Sequence, residues 1–397
     1  MSSSHPLYPI VDFDLHGYVG IRLIDASPAD ALAVSRQIGP LRTELSREPE
    51  LAVRFVDRLP TGRLRYVGAD AAFDDGSFYL LRSKHKSAAK VRFPFQQLGG
   101  RCEIVCERGA PAVPLLLAAI NLAMLARDVL PLHASAFRYE GRGILVAGWA
   151  KGGKTETLLS FLGQGAEYIG DEWVYLTADG RMLGIPEPIR LWDWHLRQLP
   201  AYWSATPRAD RRRLRMLRLA VGLLSRCAGE RQGRPRRRWA ARWAELLSRQ
   251  QSVQLPPCRL FDASPGALAA ACDTVVFAAS HDRPEVVVEP IDGAEIAARM
   301  AASLEHEREG LLAAYRQFRF AFPHRGNELL ETAVFRERRL LASLLAGRPA
   351  LALYHPYPVA LPSLFEALQP QLSSPNIAAG VSPAGAFGRE DLQVCRP

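Results

Sequence analysis

The segment that most restricts what this chain can fold into is Gly143-Ile-Leu-Val-Ala-Gly-Trp-Ala-Lys-Gly-Gly-Lys-Thr-Glu156, an apolar run that ends in Gly148-x-x-x-x-Gly153-Lys154-Thr155. This is the spacing of a phosphate-binding loop. Gly148 and Gly153 free the backbone to curl, so that the N–H groups of Trp149, Ala150, Lys151 and Gly152 can turn inward on an anion. Lys154 then offers an ammonium to the β/γ-phosphates, and Thr155 offers a hydroxyl to Mg²⁺. From Glu156 to Leu162 the chain reads as a helix whose N-terminal dipole adds to the same anion site. The plainer alternative, a glycine-rich turn from strand to helix, is disfavoured because an apolar strand precedes the pattern and an amphipathic helix follows it.

With 397 residues, 48% of them hydrophobic, the chain can bury a large core, and two domains are expected. No run approaches about 18 consecutive apolar residues, so no membrane span is expected. The start, Met1-Ser-Ser-Ser-His-Pro6, lacks the basic and apolar regions of a secretory leader, and a cytoplasmic location is the expectation. Cys102, Cys106, Cys227, Cys258, Cys272 and Cys395 show no CxxC spacing, which argues against a disulfide framework or a zinc site. Cys102 and Cys106 read as small core residues.

The net charge of +9 belongs to one segment. Between Arg208 and Arg249 there are 14 Arg and no Lys against Asp210, Glu230 and Glu245, a local charge of +11 that leaves −2 for the rest of the chain.

In chain order, residues 1–130 carry no chemical motif. Gly17–Leu23, Leu51–Val56, Ser77–Leu81, Ala89–Pro94 and Cys102–Cys106 read as short strands of a mostly antiparallel sheet, with Pro28–Gln37 as a helix across it. Pro114–Asp128 reads as a buried helix leading into a second domain, 131–368. That domain opens with a strand Leu132–Arg138, a turn at Tyr139–Gly143 and the strand feeding the loop. Such a hairpin departs from the βαβ entry of ordinary P-loop enzymes. The acidic pair Asp171-Glu172 follows only 16 residues after Thr155, room for one short helix and one short strand. The carboxylates are thereby expected beside the loop. Further on, 205–254 reads as an Arg-rich helical insert, Asp292 as an N-cap with Glu295 returning to it, opening a long helix through Glu309 to about Phe318, and Leu329–Ala346 as another helix. The Ser/Pro/Gly/Ala-rich tail 369–397 is expected to be disordered.

His133-Ala134-Ser135, the hairpin, Gly148–Thr155 with Glu156, and Tyr168-Ile-Gly-Asp-Glu172 together resemble the HPr kinase/phosphorylase family and its relatives with a phosphoenolpyruvate-carboxykinase type of nucleotide site. The likeness covers about 40 residues. It implies an α+β fold with a P-loop core of mixed sheet, ATP and Mg²⁺ as ligands, Lys154 and Thr155 on phosphates and metal, and Asp171 on Mg²⁺. By the same likeness Glu172 takes the acceptor's proton and His133 lies near the transferred phosphate. Read without the family, His133 is either such a neighbour or a core histidine at the start of a buried strand. Trp149 and Lys151 stand where the family has small residues, and Glu172 is one methylene longer than the expected Asp. The family's glycine-rich signature for the HPr carrier is missing from Gly184-Ile-Pro-Glu-Pro-Ile-Arg-Leu-Trp-Asp-Trp194, so HPr itself is not the expected substrate. Glu187 and Arg190 stand within a residue of the family's metal-binding carboxylate and phosphate-facing arginine.

The minimum set for phosphoryl transfer, charge neutralisation, a metal held by hydroxyl and carboxylate, and an acid/base group, is supplied by Lys154, Thr155, Asp171 and Glu172. The expected function is an ATP-dependent kinase acting on a hydroxyl of a peptide, protein or small metabolite. The alternative is a non-catalytic nucleotide-binding regulator that uses the basic insert on nucleic acid or an acidic partner; a phosphorylase or carboxykinase-like reaction comes third. For the insert, a solvated cap, a dock for an acidic peptide or phosphorylated ligand, and a nucleic-acid patch all remain open. The last is the least expected, because no base-reading motif accompanies the arginines. No membrane partner is expected, and a homo-oligomer is compatible with the chain.

Overall fold

The structure, a computed structural model, describes residues 8–82, 88–228, 235–261 and 268–373. Of the tail expected to be disordered, 369–373 instead belong to helix Leu361–Ser373, and 374–397, like 229–234 in the basic insert, lie outside the described residues. The protein is a mixed α+β fold with, among the described residues, four sheets and twelve α-helices. None of these helices is long and apolar enough to cross a membrane.

The site is organised by a six-stranded mixed sheet in the order Glu167–Gly170, Ser135–Tyr139, Arg142–Ala147, Thr274–Ser280, Ala350–His355, Val287–Pro290. Arg142–Ala147 pairs antiparallel with Ser135–Tyr139 and parallel with Thr274–Ser280, so the hairpin read from the sequence feeds a central strand. A central strand buried on both faces needs apolar side chains at every position. Ile144, Leu145, Val146 and Ala147 meet that demand, and they divide by alternation. Leu145, Ala147, Val275 and Phe277 enter one core, whereas Ile144, Val146, Val276 and Ala278 enter another.

The first core is shared with an eight-stranded sheet built from residues 11–107 and with helices Leu116–Leu125, Gly293–Glu307, Glu309–Ala321 and Glu328–Leu345. Five of the seven pairings in that sheet are antiparallel; Val19–Ile24, Leu51–Val56 and Cys102–Glu107 run parallel, with helix Pro28–Ile38 crossing between the first two. The strand Val11–Leu15 escapes a sequence reading because Asp12 and Asp14 interrupt it, yet both acids are satisfied across the sheet by Arg22 and Arg47. Cys102 and Cys106 are buried free thiols in the core, as expected.

The second core lies under the loop helix Lys154–Leu162, where Phe161 stacks on Phe137 at 4.7 Å and meets Phe365 of the C-terminal helix Leu361–Ser373 edge-on. Two expectations are corrected here. The single strand Leu132–Arg138 is two strands in different sheets: Leu130–His133 pairs with Trp173–Leu176, and the chain changes sheets at Ala134. The long helix after Asp292 breaks at Arg308 into Gly293–Glu307 and Glu309–Ala321. Asp292 does cap it, accepting from the Ala294 N–H, while Glu295 pairs with Arg299 instead of returning to the cap.

The basic insert is one excursion from a two-stranded ribbon, since Ile189–Trp192 pairs antiparallel with Ser252–Leu255. Helices Arg208–Ala228 and Pro235–Ser248 lie within it, packed on each other.

Two segments far apart in sequence are tied by Asn327, which is buried. Its side chain caps helix Glu328–Leu345 by accepting from the Leu330 N–H and donates to the carbonyls of Phe95 and Leu98, at 2.8 and 2.9 Å. Asn327→Ala removes the cap and strands two buried carbonyls, so unfolding free energy in urea should fall by about 2–4 kcal/mol. A loss under about 0.5 kcal/mol, typical of a surface change, would show that the tie contributes nothing.

Candidate functional site

The loop leaves strand Arg142–Ala147 and enters helix Lys154–Leu162 through backbone that repeatedly takes positive φ, at Gly148 (153°), Lys151 (64°) and Gly153 (100°). Such alternation gathers N–H groups on one side. The Gly152 N–H closes a tight turn on the Trp149 carbonyl. Lys154 is buried and donates to the carbonyls of Gly148 and Trp149, at 3.2 and 2.9 Å, so its ammonium is folded over the loop. Burial pulls its pKa down, against the raising influence of Glu172, Asp171 and Glu307. Trp149 is accommodated by pointing out of the loop, half exposed, to stack on His306 at 4.9 Å.

A histidine absent from the sequence reading, His355 at the end of the parallel strand Ala350–His355, backs the loop. It is fully buried, and its Nε2 lies 3.1 Å from the Gly152 carbonyl while Nδ1 lies 2.8 Å from that of Pro356. A ring N–H given to the Gly152 carbonyl turns the Gly153 N–H of the same peptide the opposite way, toward the hollow of the loop. The fit leaves no room for a side chain: a Cβ on Gly153 would sit 1.9 Å from His355 Nε2.

Asp171 and Glu172 return beside the loop as their spacing required. Asp171 is buried and receives the hydroxyls of Ser135, on the hairpin, and Thr155, the latter at 3.1 Å to both carboxylate oxygens. Burial and then the neighbouring Glu172 charge push its pKa up to about 6, despite those hydroxyls and Lys154. Glu172 adopts a left-handed backbone, φ 69°, which costs a non-glycine residue about 1–2 kcal/mol. The kink is held by the Ala134 N–H on the Glu172 carbonyl and the Trp173 N–H on the Asp171 carbonyl. Its effect is to part the two acids: Asp171 is turned inward, whereas the Glu172 side chain is 48% exposed.

His133 stands between two carboxylates, Nε2 at 3.0 Å from Glu172 and Nδ1 at 2.5 Å from Glu307. Burial lowers its pKa, but the hydrogen bonds to Glu172 and Glu307 outweigh this and the net shift is upward. Glu307 is 174 positions from His133 and gave no sequence signal.

Glu187 is buried and brought behind the acid pair by a close crossing. A Cβ on Gly184 would lie 1.8 Å from the Ile169 carbonyl, so only glycine lets the segment before Glu187 pass the strand before Asp171. The Tyr168 hydroxyl is raised well above its ordinary pKa by burial and by Asp171, Glu187 and Glu172 together. Two expected loop ligands lie elsewhere. Glu156 is turned behind the loop onto His195: the Trp192 N–H donates to His195 Nδ1, so His195 Nε2 donates to Glu156 Oε1 at 3.1 Å. Burial would raise the Glu156 pKa, but His195 and, more weakly, His355 bring it down. Arg190 is exposed on the ribbon opposite Gln254, because Ile189 and Leu191 take the inward positions, and it forms no hydrogen bond or ion pair among the described residues.

Among the described residues no group of three or more His, Cys, Asp or Glu is placed to cage a metal. Mg²⁺ is commonly held by one or two protein oxygens together with phosphate and water, and the buried Asp171 carboxylate on Thr155 fits that mode. Compared with known proteins, the chain matches no family model and no curated protein.

Two outcomes follow from this geometry. His355→Leu removes the tether on the Gly152 carbonyl, and the backbone amides of the loop should exchange with solvent about tenfold faster, the worth of one lost hydrogen bond; unchanged exchange would remove His355 from the loop's support. Asp171 also sets a pH dependence. Its folded pKa of about 6 lies above the unfolded value near 4, so the folded chain binds the extra proton between them. Its contribution therefore favours folding at the acid end and is lost as pH rises through about 6. In Mg²⁺-free denaturation, Asp171→Asn should flatten stability over that window, and an unaltered slope would count against a buried, proton-holding Asp171.

Proposed function

We propose that the chain is an ATP-dependent kinase that transfers the γ-phosphate to a hydroxyl, of serine type, on a peptide, protein or small metabolite. One observation carries this reading: beside the loop, one carboxylate is buried and hydroxyl-bound, and the next is turned outward onto a histidine oriented by a third carboxylate. A regulator that only binds nucleotide needs the loop and a metal ligand. It has no use for the row Glu172–His133–Glu307, whose order, outermost carboxylate to histidine to orienting carboxylate, suits proton removal.

In this reading the loop N–H groups and Lys154 bind and orient the phosphates. Thr155 and Asp171 are the residues that would hold Mg²⁺, which when bound neutralises charge on the phosphate oxygens. The electrostatics call for that cation: Asp171, Glu172 and Glu307 already outnumber Lys154 and His133, so a polyanion alone would meet net negative charge. As the acceptor oxygen bonds to phosphorus and the bond to the β-phosphate oxygen breaks, Glu172 takes the acceptor's proton while His133, held by Glu307, orients the Glu172 carboxylate. Behind the loop, His195, Glu156 and His355 fix the backbone that makes these contacts. The likeness of Gly148–Thr155 and Gly170-Asp171-Glu172 to the HPr kinase family points the same way.

The test is incubation with Mg·ATP and a panel of serine-bearing peptides and small hydroxyl metabolites, followed by intact mass. Transfer to an acceptor is the expected result; tight nucleotide binding with transfer to none would favour the regulator. With an acceptor in hand, Lys154→Ala should abolish transfer, while Glu172→Gln should keep Mg·ATP affinity and lower kcat by about 10²–10⁴. Wild-type turnover in Glu172→Gln would refute the assignment of the base.

A further inference from the structure

We propose that the hairpin of helices Arg208–Ala228 and Pro235–Ser248 is a docking surface for an acidic polypeptide segment that carries apolar anchors at helical spacing. The proposal concerns binding and stands whether or not the chain transfers phosphate.

The hairpin has a structural face and an unpartnered face. On the structural side Leu214 is fully buried, Arg218 makes a bidentate pair with buried Asp193, and Arg213 donates to the carbonyls of Gln250 and Ser252. These contacts fix the first helix to the protein. The opposite face departs from what a solvated cap requires. Met216, Leu219 and Leu223, at i, i+3 and i+7, form one stripe of that helix and are 61–67% exposed. Trp239, Trp243 and Leu246, at i, i+4 and i+7, form an exposed stripe on the second helix, with the two indoles 5.8 Å apart. Among the described residues these are six of the fourteen large apolar side chains exposed anywhere, concentrated in two helices. Exposed apolar stripes concentrated in this way mark an interaction site.

Charge and composition choose the occupant. Arg212, Arg226 and Arg242 are exposed and pair with nothing among the described residues, within a segment of net charge +11. Two such hairpins would repel each other, which disfavours a second copy of this chain. Nucleic acid would use the arginines but leave the Leu and Met stripe uncovered. An anionic lipid surface would meet the same arginines and so enters the experiment as a competitor. Trp, Met and Arg are side chains enriched in protein interfaces, where Arg forks onto carboxylates. The partner that fits is a polypeptide with Asp or Glu flanking apolar side chains.

The experiment uses the full chain and a fluorescent helical peptide with Leu at i, i+3, i+4 and i+7 and Glu elsewhere. Its scrambled isomer, phosphatidylserine vesicles and a short DNA duplex serve as competitors. The ordered peptide should bind saturably and at least about tenfold more tightly than the scrambled one, with affinity falling as salt is added. The combined Met216→Ser, Leu219→Ser and Leu223→Ser variant, and separately Arg212→Gln with Arg226→Gln and Arg242→Gln, should each weaken it about tenfold or more. All six side chains are exposed, so the melting temperature should stay unchanged, which separates lost docking from lost folding. Lys154→Ala should bind the peptide as wild type does, which keeps failure of the docking proposal distinct from failure of the kinase reading. Equal binding of ordered and scrambled peptides, no loss in either variant, or displacement of the peptide by vesicles or DNA would overturn the proposal.

Discussion

The structure depends on one buried carboxylate. Asp171 takes hydrogen bonds from Ser135 on the hairpin and from Thr155 at the start of the loop helix, so three segments distant in sequence meet at its two oxygens. Without those hydroxyls an ionised carboxylate at that depth would be prohibitive, and even with them burial and Glu172 hold its pKa up near 6. The protein thus keeps a negative group where it is only half tolerated. Groups held in that condition cluster at functional sites, because a ligand of opposite charge relieves them.

Around this point the fold supplies geometry more than new chemistry. The chain switches sheets at Ala134, which sets His133 in one sheet and Ser135 in the other, facing Glu172 and Asp171 respectively. The left-handed kink at Glu172 completes the separation by turning the second acid outward. Two adjacent residues of one type thereby receive opposite surroundings. Glycine does comparable work at Gly153 and Gly184, where contacts under 2 Å to a hypothetical Cβ show that closeness of backbone, and not flexibility, is what those positions require.

The basic insert shows how one segment serves two demands. Arg218 holds Asp193, which shares the short helix Asp193–Gln198 with His195, the partner of Glu156 on the loop helix, so the anchored side of the hairpin is continuous with the scaffold behind the loop. The outward side keeps its arginines and apolar stripe for something outside the chain. The helical period alone separates these two faces.

The sequence by itself determined the loop, the hairpin feeding it, the short helix and strand that return Asp171-Glu172, and the helical character of the insert. These are local: glycine spacing, apolar alternation and the few residues that fit between Thr155 and Asp171 leave little choice. Tertiary structure decided the rest, for reasons no local pattern carries. His355 and Glu307 reach the site from strands and helices far along the chain, and only sheet order and helix packing bring them there. Glu156 and Arg190, adjacent to the motif or expected beside it, were assigned by the fold to a buried histidine and to solvent, because burial on a helix or ribbon follows the face that the neighbouring core covers.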